Sequence, residues 1–203
     1  AGPPAGDPVM VAARNRVLEM GGPTKAHVFC KILLALFGEY DWNGVPTMPA
    51  EIMLLPRPFF LFNIYEVSYW SRCVIVPLLV IMDRKPIKWL PASQSLDELW
   101  PVPREQTSLR FPRVPEPFSW RGLFWKSVFI AVDDGLKIWE RFSPRPLRKR
   151  AIDAARLWLE ERLAVPGGLG GIYPAMANSV LALRVLGYPE DHPLILGQIK
   201  EIE

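Results

Sequence analysis

The sequence predicts an all-α protein, and three observations support this fold class. Apolar residues recur at helical spacing in several stretches that begin at a capping residue or a proline and end at glycine. Proline accounts for 22 of the 203 residues, about twice its usual share, and proline removes hydrogen-bond donors from a β-ladder. Half of the residues are hydrophobic and 22% are charged, so the chain can bury a core.

The first helices are predicted over residues 8–20 and 25–37. The first helix carries an apolar row on one side, formed by Val9, Ala12, Ala13, Val17 and Met20, and a Gly-Gly-Pro sequence ends it. Thr24 is the predicted N-cap of the second helix, and Gly38 ends it. A loop over 39–49 leads to a short helix over 50–55.

A longer helix is predicted over residues 64–82, and Pro77 should kink or split it. The run 74–81 also fits a buried strand by composition, but no hairpin partner is evident, so helix is preferred. Residues 84–117 hold seven prolines and almost no periodicity. They are predicted to form an extended surface connection rather than a domain.

Four helices are predicted after this connection, over residues 120–142, 144–164, 174–186 and 193–202. Ser143 is the expected N-cap of the second of them, with Pro144 in its first turn. The glycine-rich stretch 166–171 is interpreted as a turn between helices. It lacks the Lys-Ser/Thr pair and the preceding strand that a phosphate-binding loop requires.

Composition excludes several classes of protein and site. Cys30 and Cys73 are too few for a disulfide framework or a thiolate zinc site, and His27 and His192 are too few for a histidine-rich metal site. No nucleophile triad can be assembled, and the paired acids are typical of solvated helix ends. No metal and no other cofactor is expected.

The positive charge of the chain is concentrated in one segment. Residues 121–150 hold eight basic and three acidic side chains, a local charge of +5, whereas the whole chain carries +3. That total is too small to predict nucleic-acid binding. The longest uncharged stretch near the middle, 73–82, is about half of a membrane span. No secretory signal is visible, and the chain is expected to be a fragment, since it does not begin with methionine.

Seven aromatic residues lie within 29 positions: Trp42, Phe59, Phe60, Phe62, Tyr65, Tyr69 and Trp70. Two interpretations have similar weight. The rings could form an ordinary core, or they could line an apolar cavity whose π-faces stabilise a cation.

Residues 120–141 combine two adjacent apolar rows rich in large rings with a basic border. This pattern is typical of a helix that lies in a membrane interface. A helix buried in an α-bundle would fit the pattern about equally well.

Three separated blocks of sequence closely resemble bacterial squalene–hopene cyclases. They read GGPTKAHVFCKILLALFGEYDWNGVPTMPAEIMLLP, FNIYEVSYWSRCVIVPLLV and GGLGGIYPAMANSVLALRVLGYPEDHP. The resemblance implies a fold of two α/α barrels, one inserted in the other, with an apolar cavity between them. Residues 1–203 would form most of the inserted barrel, as an N-terminal to middle piece.

The resemblance also implies an activity. Squalene is protonated at a terminal double bond and closes through successive carbocations to pentacyclic hopanoids, without a cofactor. The implied partners are squalene, a membrane surface on the cytoplasmic side of the bacterial inner membrane, and the remaining barrel of the same polypeptide. A homodimer is left open, and no nucleic acid is expected.

Site residues follow from matching positions in the resemblance. Trp70, Ile172, Tyr173 and Pro174 match the cavity wall, and Val67 and Ile75 match the entrance channel for the substrate. The helix over 120–141 matches the membrane-inserted element. For that helix, we expect Phe124, Trp125, Phe129 and Trp139 to be partly exposed and to contact the membrane.

The sequence departs from the family pattern in the catalytic acid. An Asp-x-Asp-Asp motif is absent, since Asp133-Asp134 lacks the first aspartate, so no catalytic residue is assigned. Leu163 and Leu169 occupy places where the family motif has Gln and Trp. His27 and Leu33 replace an Arg and a Trp found in some members.

The sequence therefore predicts a piece of a squalene–hopene cyclase. The alternative is a non-catalytic helical-repeat protein that binds a lipid or a partner on its apolar face. An Asp-x-Asp-Asp motif downstream would support the cyclase, and a stop codon after Glu203 would support the binding module.

Overall fold

The computed structural model describes residues 4–56, 63–109, 119–167 and 169–203. Within these ranges the chain forms eight α-helices and five short 3₁₀ turns without any β-strand, which confirms the all-α prediction. The helices are α1 (Pro8–Glu19), α2 (Gly22–Lys25), α3 (Val28–Leu36), α4 (Tyr69–Arg84), α5 (Trp120–Phe142), α6 (Arg145–Leu163), α7 (Tyr173–Val185) and α8 (Pro193–Ile202). Two compact units divide the chain: unit 1 comprises Ala1–Pro46 and Ile87–Ala131, and unit 2 comprises Thr47–Pro86 and Val132–Glu203.

The predicted start of the helix over 25–37 is wrong. The chain forms two helices in this region, α2 and α3, instead of one. Ala26 has extended backbone between the two helices. The Thr24 hydroxyl donates to the carbonyl of Gly21 at 2.8 Å instead of capping a helix. His27 is the N-cap of α3, and its Nδ1 atom accepts the N–H of Phe29 at 3.5 Å. His27 therefore has a structural role at a helix start.

Helix α3 buries a basic residue and exposes apolar ones. Lys31 is buried beside Ile32, and its Nζ atom lies 5.6 Å from the centre of the Tyr40 ring. Burial lowers the pKa of the Lys31 amine. Phe29 and Leu33 are about half exposed on the other side of the helix. The apolar spacing thus identified the helix but not the face that it buries.

Residues 87–109 lie mostly at the surface, but one large side chain of this segment packs into unit 1. Trp100 is buried in unit 1 and stacks on Tyr40, with ring centroids 5.8 Å apart. The carboxylate of Glu39 accepts the Leu96 N–H at 2.9 Å and pairs with Arg104. Three 3₁₀ turns replace regular helix in this segment, because its prolines block helix but do not prevent burial. The rest of the predicted connection, 110–117, lies outside the described residues.

Helix α4 provides the centre of unit 2 and contacts both α6 and α7. Val76, Leu79 and Ile81 are fully buried on it. The helix continues through Pro77 without splitting, so the strand alternative for 74–81 is wrong. Pro77 is itself buried, and packing on two neighbouring helices offsets the loss of one backbone hydrogen bond.

An ionic network joins four segments of unit 2 around Arg148. Its Nε atom lies 3.4 Å from Asp83 of α4 and 3.6 Å from Glu51 in the 3₁₀ turn Ala50–Leu54. The guanidinium group also donates to the backbone carbonyl of Glu140 near the end of α5. The side chain of Glu140 pairs with Lys85 at 2.9 Å.

Burial raises the pKa of Asp83, although Arg148 and Arg84 act in the opposite direction. Ser143 belongs to the same network, since its hydroxyl donates to Glu51. Its predicted role as N-cap of α6 is therefore wrong. Pro144 occupies the cap position without any side-chain hydrogen bond.

Replacing Arg148 should destabilise unit 2. We expect Arg148→Met to lower the free energy of unfolding by about 2 kcal/mol at neutral pH, because Asp83 and Glu51 would lose their shared counter-charge while remaining buried. This is less than for a fully buried pair, since 28% of the Arg148 side chain is exposed. Urea denaturation followed by circular dichroism at 222 nm measures the loss.

The penalty should shrink as the pH falls. Without Arg148, the folded-state pKa of Asp83 would rise further above its unfolded value. A raised folded-state pKa contributes stability below the unfolded pKa and loses it as the pH rises through the folded pKa. Arg150→Met is the matched control, since Arg150 is exposed on the same helix. Equal stability losses in the two variants would contradict the network.

Candidate functional site

The direction of the helices in unit 2 places the candidate site. Asp83, near the end of α4, contacts Arg148, near the beginning of α6. At the other end, Arg162 of α6 acts electrostatically on Tyr69 and Cys73 in the first turns of α4. Helices α4 and α6 are therefore antiparallel.

Helix α7 also runs against the direction of α6. It follows α6 after a short turn, and its C-cap residue Leu186 lines the same groove as Arg148 and Arg156. Because α4 and α7 are both antiparallel to α6, they begin at the same end of unit 2. We call this end the aromatic end, defined by Trp70 on α4 and by Ile172, Tyr173 and Pro174 at the start of α7.

The aromatic end presents two large rings on helix starts. The hydroxyl of Ser68 accepts the Ser71 N–H at 3.2 Å and begins α4. Trp70 follows in the first turn and is 61% exposed. In α7, Pro174 occupies the first turn, where its missing N–H is not needed, beside Tyr173, which is 64% exposed. Ile172 is half-buried. All four predicted cavity-wall residues therefore lie at one end of the unit.

The two predicted entrance residues lie on either side of the α4 N-cap. Val67 comes just before Ser68, Ile75 lies in the second turn of α4, and both are half-buried. Cys73 between them is fully buried. Burial raises the pKa of the Cys73 thiol, so the group stays protonated and is not a nucleophile.

Arginine side chains lie over two other aromatic rings near this end. The guanidinium carbon of Arg162 lies 4.1 Å from the centre of the Trp158 ring, and that of Arg72 lies 5.9 Å from the Tyr69 ring. Burial, with a smaller contribution from Cys73, raises the pKa of the Tyr69 phenol, so it stays neutral. Among the described residues, no ring or cation contacts the face of Trp70. Its π-face is available to a ligand.

The described members of the predicted aromatic cluster belong to different units and differ in burial. Trp42 is buried in unit 1, as the core interpretation requires, whereas Trp70 is exposed in unit 2. The Tyr65 hydroxyl is half-buried and donates to the Met53 carbonyl at 3.5 Å. Phe59, Phe60 and Phe62 lie outside the described residues.

Helix α5 has no buried residue along its described length. Its large exposed side chains are Trp120, Phe124, Trp125, Phe129, Val132, Ile138, Trp139 and Phe142. Phe124 and Trp125 pack edge to face at 5.6 Å, and Phe129 lies 6.3 Å from Trp125. We call these rings, together with Trp139, the α5 aromatic face.

Within the described residues, α5 is therefore not packed as a buried bundle helix. The sequence did not predict that Ile138 and Phe142 belong to the exposed apolar residues of α5, although they are 61% and 75% exposed. Their position beside Arg141 in the basic border was the available signal.

The described residues lack the features of a membrane span and of a metal site. In that part of the chain, none of the helices is both long and apolar enough to span a bilayer. The same residues contain no group of three or more histidine, cysteine or acidic side chains arranged to hold a metal ion.

The comparisons with known proteins agree with one another. The family model for the squalene–hopene cyclase N-terminal domain matches residues 1–203. Squalene–hopene cyclases of Schizosaccharomyces japonicus and Zymomonas mobilis are 42% and 41% identical over 186 residues, which is 92% of this chain and 27% of each relative. A dammaradiene synthase of Dryopteris crassirhizoma is 38% identical over 192 residues, covering 95% of this chain and 27% of that protein. The chain thus spans about a quarter of the length of these curated relatives.

Proposed function

The chain belongs to the squalene–hopene cyclase N-terminal domain family, and we propose that it forms part of the cavity wall of an enzyme that cyclises squalene to a pentacyclic hopanoid. The exposed rings of Trp70 and Tyr173 at one end of unit 2 are the observation that supports this role. Two relatives of this chain are squalene–hopene cyclases, and they supply the substrate class.

In this proposal the aromatic end stabilises the positive charge of a carbocation. A desolvated tryptophan face attracts a cation by about 0.5–2 kcal/mol, and this attraction grows as a carbocation develops in the transition state. Trp70 would bind the cation through its uncovered face, while Ile172 and Pro174 exclude water from it. Cys73 nearby is fully buried, so its thiol does not face the cation.

The proton donor is proposed to lie outside this chain. Asp133, followed by Asp134, is the part of this sequence most similar to the Asp-x-Asp-Asp motif. Its carboxylate, however, accepts the Thr47 N–H at 2.8 Å and pairs with Lys137 at 2.8 Å. Both contacts use the carboxylate to hold neighbouring parts of unit 2 together, so Asp133 has a structural role.

We further propose that the α5 aromatic face lies in a membrane interface on the cytoplasmic side. Large rings would enter the acyl boundary, and the basic side chains around them would reach the headgroups. The exposure of Phe124 and Phe129, 62% and 65%, supports this role. Squalene is insoluble in water, so an enzyme that acts on it gains by meeting it in the bilayer.

Trp70→Ala should slow a full-length cyclase that carries this sequence about five- to thirty-fold, because a cation–π attraction of about 1–2 kcal/mol is lost in the transition state. Trp70→Phe should retain more activity, since a smaller π-face remains. Turnover and the product profile are measured by gas chromatography, and early-terminated cyclic products are expected for the alanine variant.

Trp89→Ala is the control, because Trp89 is 72% exposed but belongs to unit 1. It should leave turnover within about twofold of the parent enzyme. A folded Trp70→Ala enzyme with unchanged rate and products would remove Trp70 from the cavity wall.

The isolated 203-residue chain should not cyclise squalene, because it lacks the Asp-x-Asp-Asp acid. The test is incubation of the purified chain with squalene in detergent and extraction of the products. Appearance of hopene would show that a proton donor exists within these residues.

Phe124→Glu/Phe129→Glu should release the full-length protein from phospholipid vesicles, because two buried charges in the acyl boundary replace two rings. Vesicle flotation measures binding, and circular dichroism checks that helix content is unchanged. High salt should weaken the binding of the unchanged protein only in part, since the apolar contribution is not screened. Val9→Glu/Met20→Glu is the control on another exposed apolar surface. If both double variants bind vesicles to the same extent, the proposed membrane contact by α5 is wrong.

A further inference from the structure

A basic groove runs along α6 at the end of unit 2 opposite the aromatic end. It has a volume of about 550 Å³, which is large enough for a phosphate group and the carbon atoms attached to it. One face of α6 forms its long wall with Arg145, Arg148, Lys149, Ile152 and Arg156, at a spacing of three or four residues. The ends of α4 and α7 close the sides with Arg84 and Leu186.

The lining of the groove carries an excess of positive charge. Five basic side chains face two acidic ones, Asp83 and Asp153, for a net charge of +3. Three of the five are committed within the protein: Arg148 to the network of Asp83 and Glu51, Arg156 to Glu160 at 2.8 Å, and Arg84 to Asp83 at 3.6 Å.

Arg145 and Lys149 are the two uncommitted charges. Both are exposed, and neither has an acidic partner within 4.0 Å among the described residues. They lie one helical turn apart on α6, so both side chains can reach the same anion.

Arg148 holds this arrangement in place. Its contacts with Glu51, Asp83 and the Glu140 carbonyl fix the first turns of α6 against the end of α4. The acids behind the wall, Glu51 and Glu140, are already paired with Arg148 and Lys85. They therefore compensate charge within the network rather than at Arg145 and Lys149.

We propose that this groove binds a phosphate group, with Arg145 and Lys149 as its ligands and Arg148 as the positioning residue. Arginine donates to phosphate through a planar pair of N–H groups, and lysine adds a compact point charge. Ile152 and Leu186 would contact the carbon atoms attached to the phosphate. The site is separate from the proposed cyclisation cavity and does not depend on that chemistry.

The phosphate could belong to an anionic phospholipid or to a soluble phosphate compound. Both present the same oxygen atoms to Arg145 and Lys149, so the experiment has two arms. The protein is a full-length cyclase that carries this sequence. The variant Arg145→Gln/Lys149→Gln removes the two ligands, and Arg141→Gln/Arg150→Gln removes the same charge from exposed residues outside the groove.

In the first arm, calorimetry measures the binding of inorganic phosphate. We expect the groove variant to bind at least about tenfold more weakly than the control variant, because charge-assisted hydrogen bonds are lost only in the former. In the second arm, flotation measures binding to vesicles of phosphatidylglycerol and phosphatidylcholine in equal amounts.

Each combination of results decides the proposal. A larger loss of vesicle binding in the groove variant than in the control supports a lipid headgroup as the ligand. Loss of phosphate binding with equal vesicle binding supports a soluble phosphate compound. Equal losses in the two variants in both arms, or no binding in either arm, would overturn the proposal. Turnover of squalene in detergent should be unchanged in the groove variant, so this test is independent of the cyclase assignment.

Discussion

The guanidinium group of Arg148 is the contact on which the arrangement of unit 2 depends. One cation near the start of α6 balances acids from α4 and from the turn Ala50–Leu54 and also binds a backbone carbonyl at the end of α5. These contacts fix α4 and α6 as antiparallel neighbours. Since the end of α7 lines the same groove as the end of α4, Trp70 and Tyr173 lie together at the other end of the unit. An ionic contact at one end thereby helps to determine which helix starts lie at the other.

Unit 2 separates two kinds of electrostatic environment along its length. Around Arg148 the charges are paired carboxylates and cations, which tolerate partial burial because each compensates the other. At the aromatic end the ionisable Tyr69 and Cys73 have raised pKa values and stay neutral, and the guanidinium groups there lie over aromatic rings. An apolar ligand at that end would meet the exposed rings of Trp70 and Tyr173 and the half-buried Ile172.

Local sequence predicted most of the helices but not their long-range contacts. The bounds of α5 and α8 follow from apolar periodicity and from residues that start or end helices, which are local properties of the sequence. The break at Ala26 was missed because Thr24 and His27 are both acceptable caps, and only the folded backbone decides between them. The burial of Trp100 was missed because it depends on Tyr40, sixty positions away in the sequence. For the same reason the sequence could identify Trp70 and Tyr173 one by one, through the family resemblance, but could not show that α4 and α7 begin at the same end.

The distribution of tryptophan has a consequence for spectroscopy. Of the eight tryptophans, Trp42, Trp100 and Trp158 are buried, and the other five are exposed. The exposed indoles are in contact with water, so the folded chain should emit at long wavelength and be quenched readily by acrylamide. Unfolding should then change the emission maximum only slightly. Occupation of the exposed faces by lipid or by another part of a protein should shift the emission to shorter wavelength, so the intrinsic fluorescence of this chain reports on contacts made at its surface more than on the formation of its core.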